Sequence, residues 1–254
     1  MSRQGRRRRR KKSHGFLVVF FVLVALLLAF SLSSGLFFKI TDIRVEGASA
    51  YTPEQIREAA GYKLGENIML INKTAASRNI FNNLPYVEQV KIRRELPGTV
   101  VIEIVEAAPV AMFRIDDRYW LINDAGMLLE SVPSIAPPKL PLVIGMPLLA
   151  PLEGTAMGVS EKDRPKTAPL LELIKALIES DYWKEVTRID MTALSDVRFD
   201  YAGRFTVSLG VPENISFKLE LMEAAIGQFE DYQKGFLDIS DDENRIVRLI
   251  PDAA

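Results

Sequence analysis

Residues 87–106, VEQVKIRRELPGTVVIEIVE, hold two strands and the turn between them. In the first, Val90 and Ile92 share one side while Gln89, Lys91 and Arg93 take the other. In the second, Val100, Ile102 and Ile104 fall opposite Val101, Glu103 and Val105. A period of two is the signature of a pleated strand with one face buried, and Leu96-Pro97-Gly98 carries the Pro-Gly pair of a turn. Upstream, residues 38–47 (FKITDIRVEG) mark a short strand through Ile40, Ile43 and Val45, ended by Gly47. Thr52 can cap a helix, Pro53 suits its first position and Gln55 completes a capping box, so a helix is expected over 53–60, stopping at Gly61. A second is expected over 73–83, with Ala75, Ala76, Ile80 and Leu84 inward and Pro85 beyond its end. The order over residues 39–109 is β-α-α-β-β.

Downstream the pattern stays rich in strands. Short strands are expected at 111–115, 118–123 and 127–130, around turns at Asp116-Asp117 and Asp124-Ala125-Gly126. Residues 132–158 are rich in Pro and Gly and should wander over the surface. A helix over 169–180 would present Leu170, Leu171, Ile174, Leu177 and Ile178 along one side. Strands at 196–201 and 204–209 alternate about Ala202-Gly203. A further helix spans 215–232, with Leu221, Met222, Ala225, Ile226 and Phe229 inward. The chain closes with a strand at 236–240, a polar turn at 241–244 and a last strand at 245–250. The fold class is α+β, with a mostly antiparallel β domain and flanking helices over 110–251 and a short tail at 252–254.

The charge divides the chain differently. Its 254 residues include 32 Lys+Arg and 33 Asp+Glu, a formal net charge of −1. Residues 1–15 hold eight of the bases and no acid; from residue 39 onward 24 bases face 33 acids, a net −9. Between them, residues 16–38 are 23 residues with no ionisable side chain, and about 20 suffice to span a bilayer as a helix. A cleavable signal peptide is the rival, and Ser31-Leu32-Ser33 could serve as its cleavage site. Such peptides have an apolar run of only ~7–15 residues, so a retained transmembrane signal anchor is expected. The basic tail should stay in the cytoplasm and the C-terminal side should lie outside the membrane. The arginine run also suits nucleic acid or anionic lipid, but reads as a topology determinant, and no nucleic acid is expected.

Little is left for catalysis. The chain has no cysteine, and its one histidine, His14, lies in the basic tail. That removes thiolate chemistry, Cys- or His-ligated metal sites and His-based triads from residues 39–254. There is no Ser-x-x-Lys, P-loop, G-x-G-x-x-G or EF-hand loop. A glycosidase needs only two carboxylates. However, Glu103 and Glu106 should point to opposite faces, while Asp116/Asp117 and Asp241/Asp242/Glu243 sit at hairpin tips as solvated acids. The sequons at Asn72 and Asn214 are assigned nothing, and Trp120 and Trp183 read as core anchors rather than sugar platforms. No catalytic residue, cofactor or metal is expected. What remains is recognition by a sheet edge: the terminal strand, with Arg245 and Arg248 among apolar residues, is either a guarded edge without a partner or a template for an added strand.

Several motifs together resemble a known family. F-K-I-x-x-I-x-V-x-G at 38–47, T-P-E at 52–54, Gly65, Asn67 and Ile68, L-P-Y-V at 84–87, and V-x-I-x-R-x-x-P-x-T-V-x-I-x-I-x-E at 90–106 resemble a POTRA domain. Residues 119–127 (YWLINDAGM) and 140–145 (LPLVIG) resemble its continuation in the FtsQ/DivIB family of bacterial cell-division proteins. That resemblance implies a bitopic, non-catalytic septal scaffold. Its C-terminal domain would bind FtsB- or DivIC-like and FtsL-like bitopic division proteins, the first adding a strand beside the last strand of the domain. Carried onto this chain, the partner-binding residues are Asn244, Arg245, Ile246, Val247, Arg248 and Leu249, supported by Ser240 and Asp241, with Arg198 as a further candidate. The POTRA part would serve septal recruitment, and its charged strand at 87–95 is the edge that another divisome component would use. Two other classes stay open: a POTRA-containing assembly or secretion chaperone, and a membrane-anchored cell-wall hydrolase working with carboxylates.

Overall fold

The hairpin that anchors the sequence reading is the spine of a three-stranded sheet. In the computed structural model, which describes residues 18–26, 37–47 and 50–251, β1 (Asp42–Glu46) lies parallel to β3 (Thr99–Glu106), and β3 pairs antiparallel with β2 (Val87–Glu95). A parallel neighbour requires a long crossover, and two helices supply it. In α1 (Pro53–Ala60) the Thr52 hydroxyl accepts from Gln55 N at 3.3 Å, and the Gln55 side chain accepts from Thr52 N at 2.8 Å. Gly61 ends the helix at φ 74°. In α2 (Lys73–Asn83) the side chain of Asn72 caps Ala75 N at 3.0 Å, which gives that sequon asparagine a structural task. Ile56, Ile68, Ile80 and Ile102 are fully buried between helices and sheet. Ala75 is exposed, contrary to expectation, because Ala76 and Ile80 define the inward stripe and a neighbour one residue away lies about 100° round the helix. Val101 is buried on the opposite face; the register sets it between Arg44 and Arg93, whose aliphatic stems can cover it. Arg93 also bridges Glu46, Glu95 and Glu103.

The rest of the described chain builds a nine-stranded sheet. Its strands are β4 (Ala111–Ile115), β5 (Arg118–Ile122), β6 (Leu128–Pro133), β7 (Leu142–Ile144), β8 (Val186–Asp190), β9 (Val197–Tyr201), β10 (Phe205–Gly210), β11 (Gly235–Asp241) and β12 (Ile246–Pro251), in the order β12-β11-β10-β9-β8-β7-β4-β5-β6. Two helices cross between parallel neighbours: α3 (Thr167–Glu179) from β7 to β8, and α4 (Ile215–Ile226) from β10 to β11. With β4 and β7 also parallel, the sheet is mixed, although most of its neighbours run antiparallel. One large core lies beneath it, joining Leu170, Leu173, Ile174 and Leu177 of α3 and Leu219 and Met222 of α4 to Phe199, Val207 and Leu237 of the strands.

Three expectations need correction. Residues 132–158 do not only wander: β7 lies within them and holds a central place in the sheet. It escaped notice because three residues cannot establish an alternation, and its neighbours on both sides are distant in sequence. The unforeseen β8 is masked in the same way, since Thr187 and Arg188 interrupt the apolar pattern. Finally, α4 stops at Gly227 rather than continuing to 232; Phe229 reaches the core from the turn beyond, its ring 6.0 Å from that of Phe205. On α3, Ile178 is 40% exposed and Leu171 only partly buried.

Residues 18–26 are helical, and among the described residues no helix is long and apolar enough to cross a membrane. The basic tail at 1–15, residues 16–17 and 27–36 of the expected span, and the tail at 252–254 lie outside the described residues.

Candidate partner interface at the C-terminal sheet edge

The nine-stranded sheet has two borders, and the chain treats them differently. At β6 the border is covered by the loop that follows residue 152: Gly154 N donates to Leu128 O at 2.7 Å, Leu128 N to Thr155 O at 2.8 Å, and Ser131 N to the Glu153 carboxylate at 3.1 Å. At β12 no such cover exists among the described residues; no backbone hydrogen bond joins its outer side to another segment. A strand edge left with unpaired N–H and C=O groups is a template for another strand.

Side chains of β12 divide by parity. Val247 and Leu249 are partly buried against the core above α4, while Ile246, Arg248 and Ile250 face outward, Ile250 at 58% exposure. Asn244 lies in the turn, as the turn at 241–244 predicts, and Arg245 joins it there instead of opening the strand as expected. The Asp241 side chain accepts from Asn244 N at 3.2 Å and from Asn244 Nδ2 at 2.8 Å, which draws the backbone into a tight reversal with Arg245 at φ 55°. Arg245 then lies over the Phe217 ring at 5.6 Å. Asp241 faces Arg248 at 3.9 Å, and Ser240 donates its hydroxyl to Asp238 at 2.6 Å.

Behind the hairpin stands Lys218, a helix residue only 2% exposed. Its ammonium donates to Leu209 O at 2.9 Å and Val211 O at 2.8 Å and lies 3.9 Å from Asp242. Asp242 also accepts from Asn214 Nδ2 at 2.8 Å. The Asn214 amide and the Lys218 charge hold the Asp242 carboxyl below its ordinary value. A buried lysine inside an amphipathic helix pattern carries no sequence signal that distinguishes it from a solvated one, so this support was missed.

The register extends the candidate surface across the open face of the sheet. Asp190, Arg198, Ser208, Asp238 and Arg248 are successive partners on β8 through β12, and Arg188, Asp200, Thr206, Phe236 and Ile250 form the next row. Residues in one row share a face, so Arg198 and Arg248, fifty residues apart in the chain, stand on one surface with two strands, β10 and β11, between them. Arg198 is ion-paired with Asp196, lies 5.2 Å over the Phe236 ring, and has a buried Nε without a hydrogen-bond partner among the described residues. Asp196 accepts from Ser208 Oγ at 2.7 Å; the Arg198 guanidinium, followed by that hydroxyl, lowers its carboxyl. Between this row and the 241–245 turn lies a groove of about 680 Å³ whose walls include Asp196, Glu213, Phe236, Asp238, Asp241 and Glu243. The structure therefore brings Arg198, Ser240, Asp241 and β12 together. Phe236 and Asp238, absent from the sequence reading, complete the surface.

The acids considered for catalysis are dispersed. Glu103 is held by Arg93 and Lys91, Glu106 accepts from Ala50 N at 2.7 Å, and Asp116 and Asp117 lie at the β4–β5 turn. Among the described residues no group of three His, Cys, Asp or Glu could hold a metal ion.

Comparison with known proteins agrees with this architecture. The family model described as "POTRA domain, FtsQ-type" matches residues 38–107. A protein of Clostridium acetobutylicum called "Cell division protein DivIB" is 29% identical over 217 residues, covering 84% of each chain. "Cell division protein FtsQ" of Novosphingobium aromaticivorans is 39% identical over 103 residues, 40% of this chain and 31% of its own. "Cell division protein FtsQ" of Corynebacterium glutamicum is 35% identical over 88 residues, 35% of this chain and 39% of its own. The chain thus carries an FtsQ-type POTRA domain and is similar, along most of its length, to bacterial cell-division proteins called DivIB and, over part of it, to ones called FtsQ.

Proposed function

We propose that the protein is a non-catalytic scaffold of the bacterial divisome that captures FtsB/DivIC-like and FtsL-like partners outside the membrane and so helps coordinate septal peptidoglycan synthesis. In this reading residues 1–15 are cytoplasmic, 16–38 anchor the chain, and 39–109 and 110–251 form the two extracytoplasmic domains at the septum. The observation that carries it is the contrast between the two sheet borders: β6 is covered and β12 is open. An added strand gains affinity from main-chain hydrogen bonds and specificity from alternate side-chain sites. Here those sites are Ile246, Arg248 and Ile250 on one face, continued by Arg198, Phe236 and Asp238. The acidic groove beside the 241–245 turn suits a partner with basic side chains next to its strand, and Arg198 suits a carboxylate. The edge of β2, whose Lys91 and Arg93 are already engaged with acids, is the place for another divisome component.

Capture of the FtsB/DivIC-like partner by the Val247→Pro variant tests this. Proline lacks the N–H and fixes φ, so binding should be abolished in a pull-down while a cooperative thermal melt and the far-ultraviolet dichroism persist. Undiminished capture by a folded Val247→Pro protein would sink the edge-strand reading.

A further inference from the structure

Three segments remote in sequence meet where the folded chain begins. Phe38 O accepts from Ile68 N at 2.8 Å, Ile40 N donates to Glu66 O at 2.8 Å, and Gly65 N donates to Ile40 O at 2.8 Å. On the other side Gly98 O accepts from Thr41 N at 2.8 Å. Residues 37–41 are thus clasped between the 64–70 loop and the β2–β3 turn. Ile40 and Ile68 point into the domain core at 1% and 0% exposure, yet Phe37 (74%), Leu64 (67%), Met69 (48%), Leu70 (81%) and Leu96 (58%) all stand in the open at this one end. So many large apolar side chains on neighbouring loops mark a contact surface.

We infer that this end of the POTRA domain rests in the interface of the lipid bilayer, with Phe37, Leu64, Met69, Leu70 and Leu96 dipping below the headgroups. The inference rests on the anchor reading of residues 16–38. Lipid is the occupant because there is no linker: Phe38, the last residue of the uncharged segment, is already hydrogen-bonded into the domain. A consecutive residue spans at most ~3.6 Å, so the patch is held against whatever that segment is embedded in. Exposed Lys39 and Lys63 flank it, as expected of side chains that place a charge among headgroups above a buried stem. The acids nearby are Glu66, Asp42 and Glu95; Arg44 lies 3.9 Å from Asp42 and 3.6 Å from Glu95, and Glu95 is also paired with Arg93. The rest of the molecule permits this orientation. β3 starts at this end with Thr99 and runs to Glu106, about 23 Å away at ~3.3 Å per residue, and the second domain follows from there.

The chain contains no cysteine, so single-site labelling of the full-length protein in phosphatidylethanolamine–phosphatidylglycerol vesicles tests the inference directly. Leu64→Cys, Leu70→Cys and Leu96→Cys would each carry an environment-sensitive fluorophore. Ile135→Cys, in a loop of the second domain, is the water-exposed reference, and Leu23→Cys reports on the anchor. The expected result is blue-shifted emission at 64, 70 and 96, quenched by nitroxides carried high on the lipid acyl chains, with no quenching at 135. Quenching at 23 without quenching at 64, 70 and 96 would overturn the inference and leave the anchor standing. No quenching at 23 would overturn the anchor reading itself. A blue shift at 64 and 70 that nitroxide lipids do not quench, and that fades as the protein is diluted into more lipid, would assign the patch to a second copy instead and equally overturn the proposal.

Discussion

Lys218 shows how much one side chain can carry at the back of an edge. It satisfies two carbonyls at the end of β10 and faces Asp242 across the hairpin turn. Lys218→Met keeps the stem but leaves those carbonyls without their donor, which should cost about 1–3 kcal/mol in urea denaturation and loosen the turn that precedes β12. The carboxylates of the same region predict a pH dependence. Asp196 and Asp242 are both held below the ordinary aspartate value of 3.8, so the unfolded chain takes up protons first as pH falls. Their contribution is therefore complete at neutral pH, declines as pH drops into the range of the unfolded aspartate, and is lost once pH passes below the folded values. The urea midpoint should fall on acidification below about pH 5, and Asp242→Asn should flatten part of that fall. A midpoint that rises through the same range would contradict the assignment.

Among the elements, the β7–β8 junction is the one the rest of the sheet depends on. Lys166, 7% exposed, donates to Gly145 O at 2.7 Å and Thr192 O at 3.1 Å and pairs with Asp163 at 2.7 Å, binding the ends of β7 and β8 to the start of α3. Gly145 sits there at φ 84°, and an added Cβ would overlap the backbone of Met191 and Thr192. Gly145→Ala meets both a conformational penalty and a backbone clash, so a loss of about 3 kcal/mol or more is expected, read as a lowered urea midpoint with the slope unchanged. The capped helix α1 and the β2–β3 hairpin were legible because their information is local: a capping box, a Pro-Gly turn and an alternation complete themselves within a few residues. β7 was not. Its three residues are a strand only because β4 and β8 flank them, and neither neighbour is adjacent in the chain.

At the scale of the whole molecule, the two domains touch through Tyr86, whose hydroxyl donates to the Glu130 carboxylate at 2.6 Å. Burial, followed by that carboxylate, raises the Tyr86 phenol well above its ordinary value, so the bond keeps its donor throughout the physiological range. A double-mutant cycle with Tyr86→Phe and Glu130→Ala should return a coupling of about 1 kcal/mol; additive effects would show that the contact does not hold the domains together. The sequence alone determined the charge regimes, the uncharged 16–38 segment, the order of the POTRA elements and the absence of cysteine and of any histidine beyond residue 14, since each is a property of composition or of residues a few positions apart. Only the tertiary structure decided that β6 is covered while β12 is open, that Arg198 shares a row with Arg248, and that Leu64, Leu70 and Leu96 gather beside Phe37. Those relations come from strand order and loop closure, which bring distant residues together through backbone hydrogen bonds that leave no periodicity in the chain.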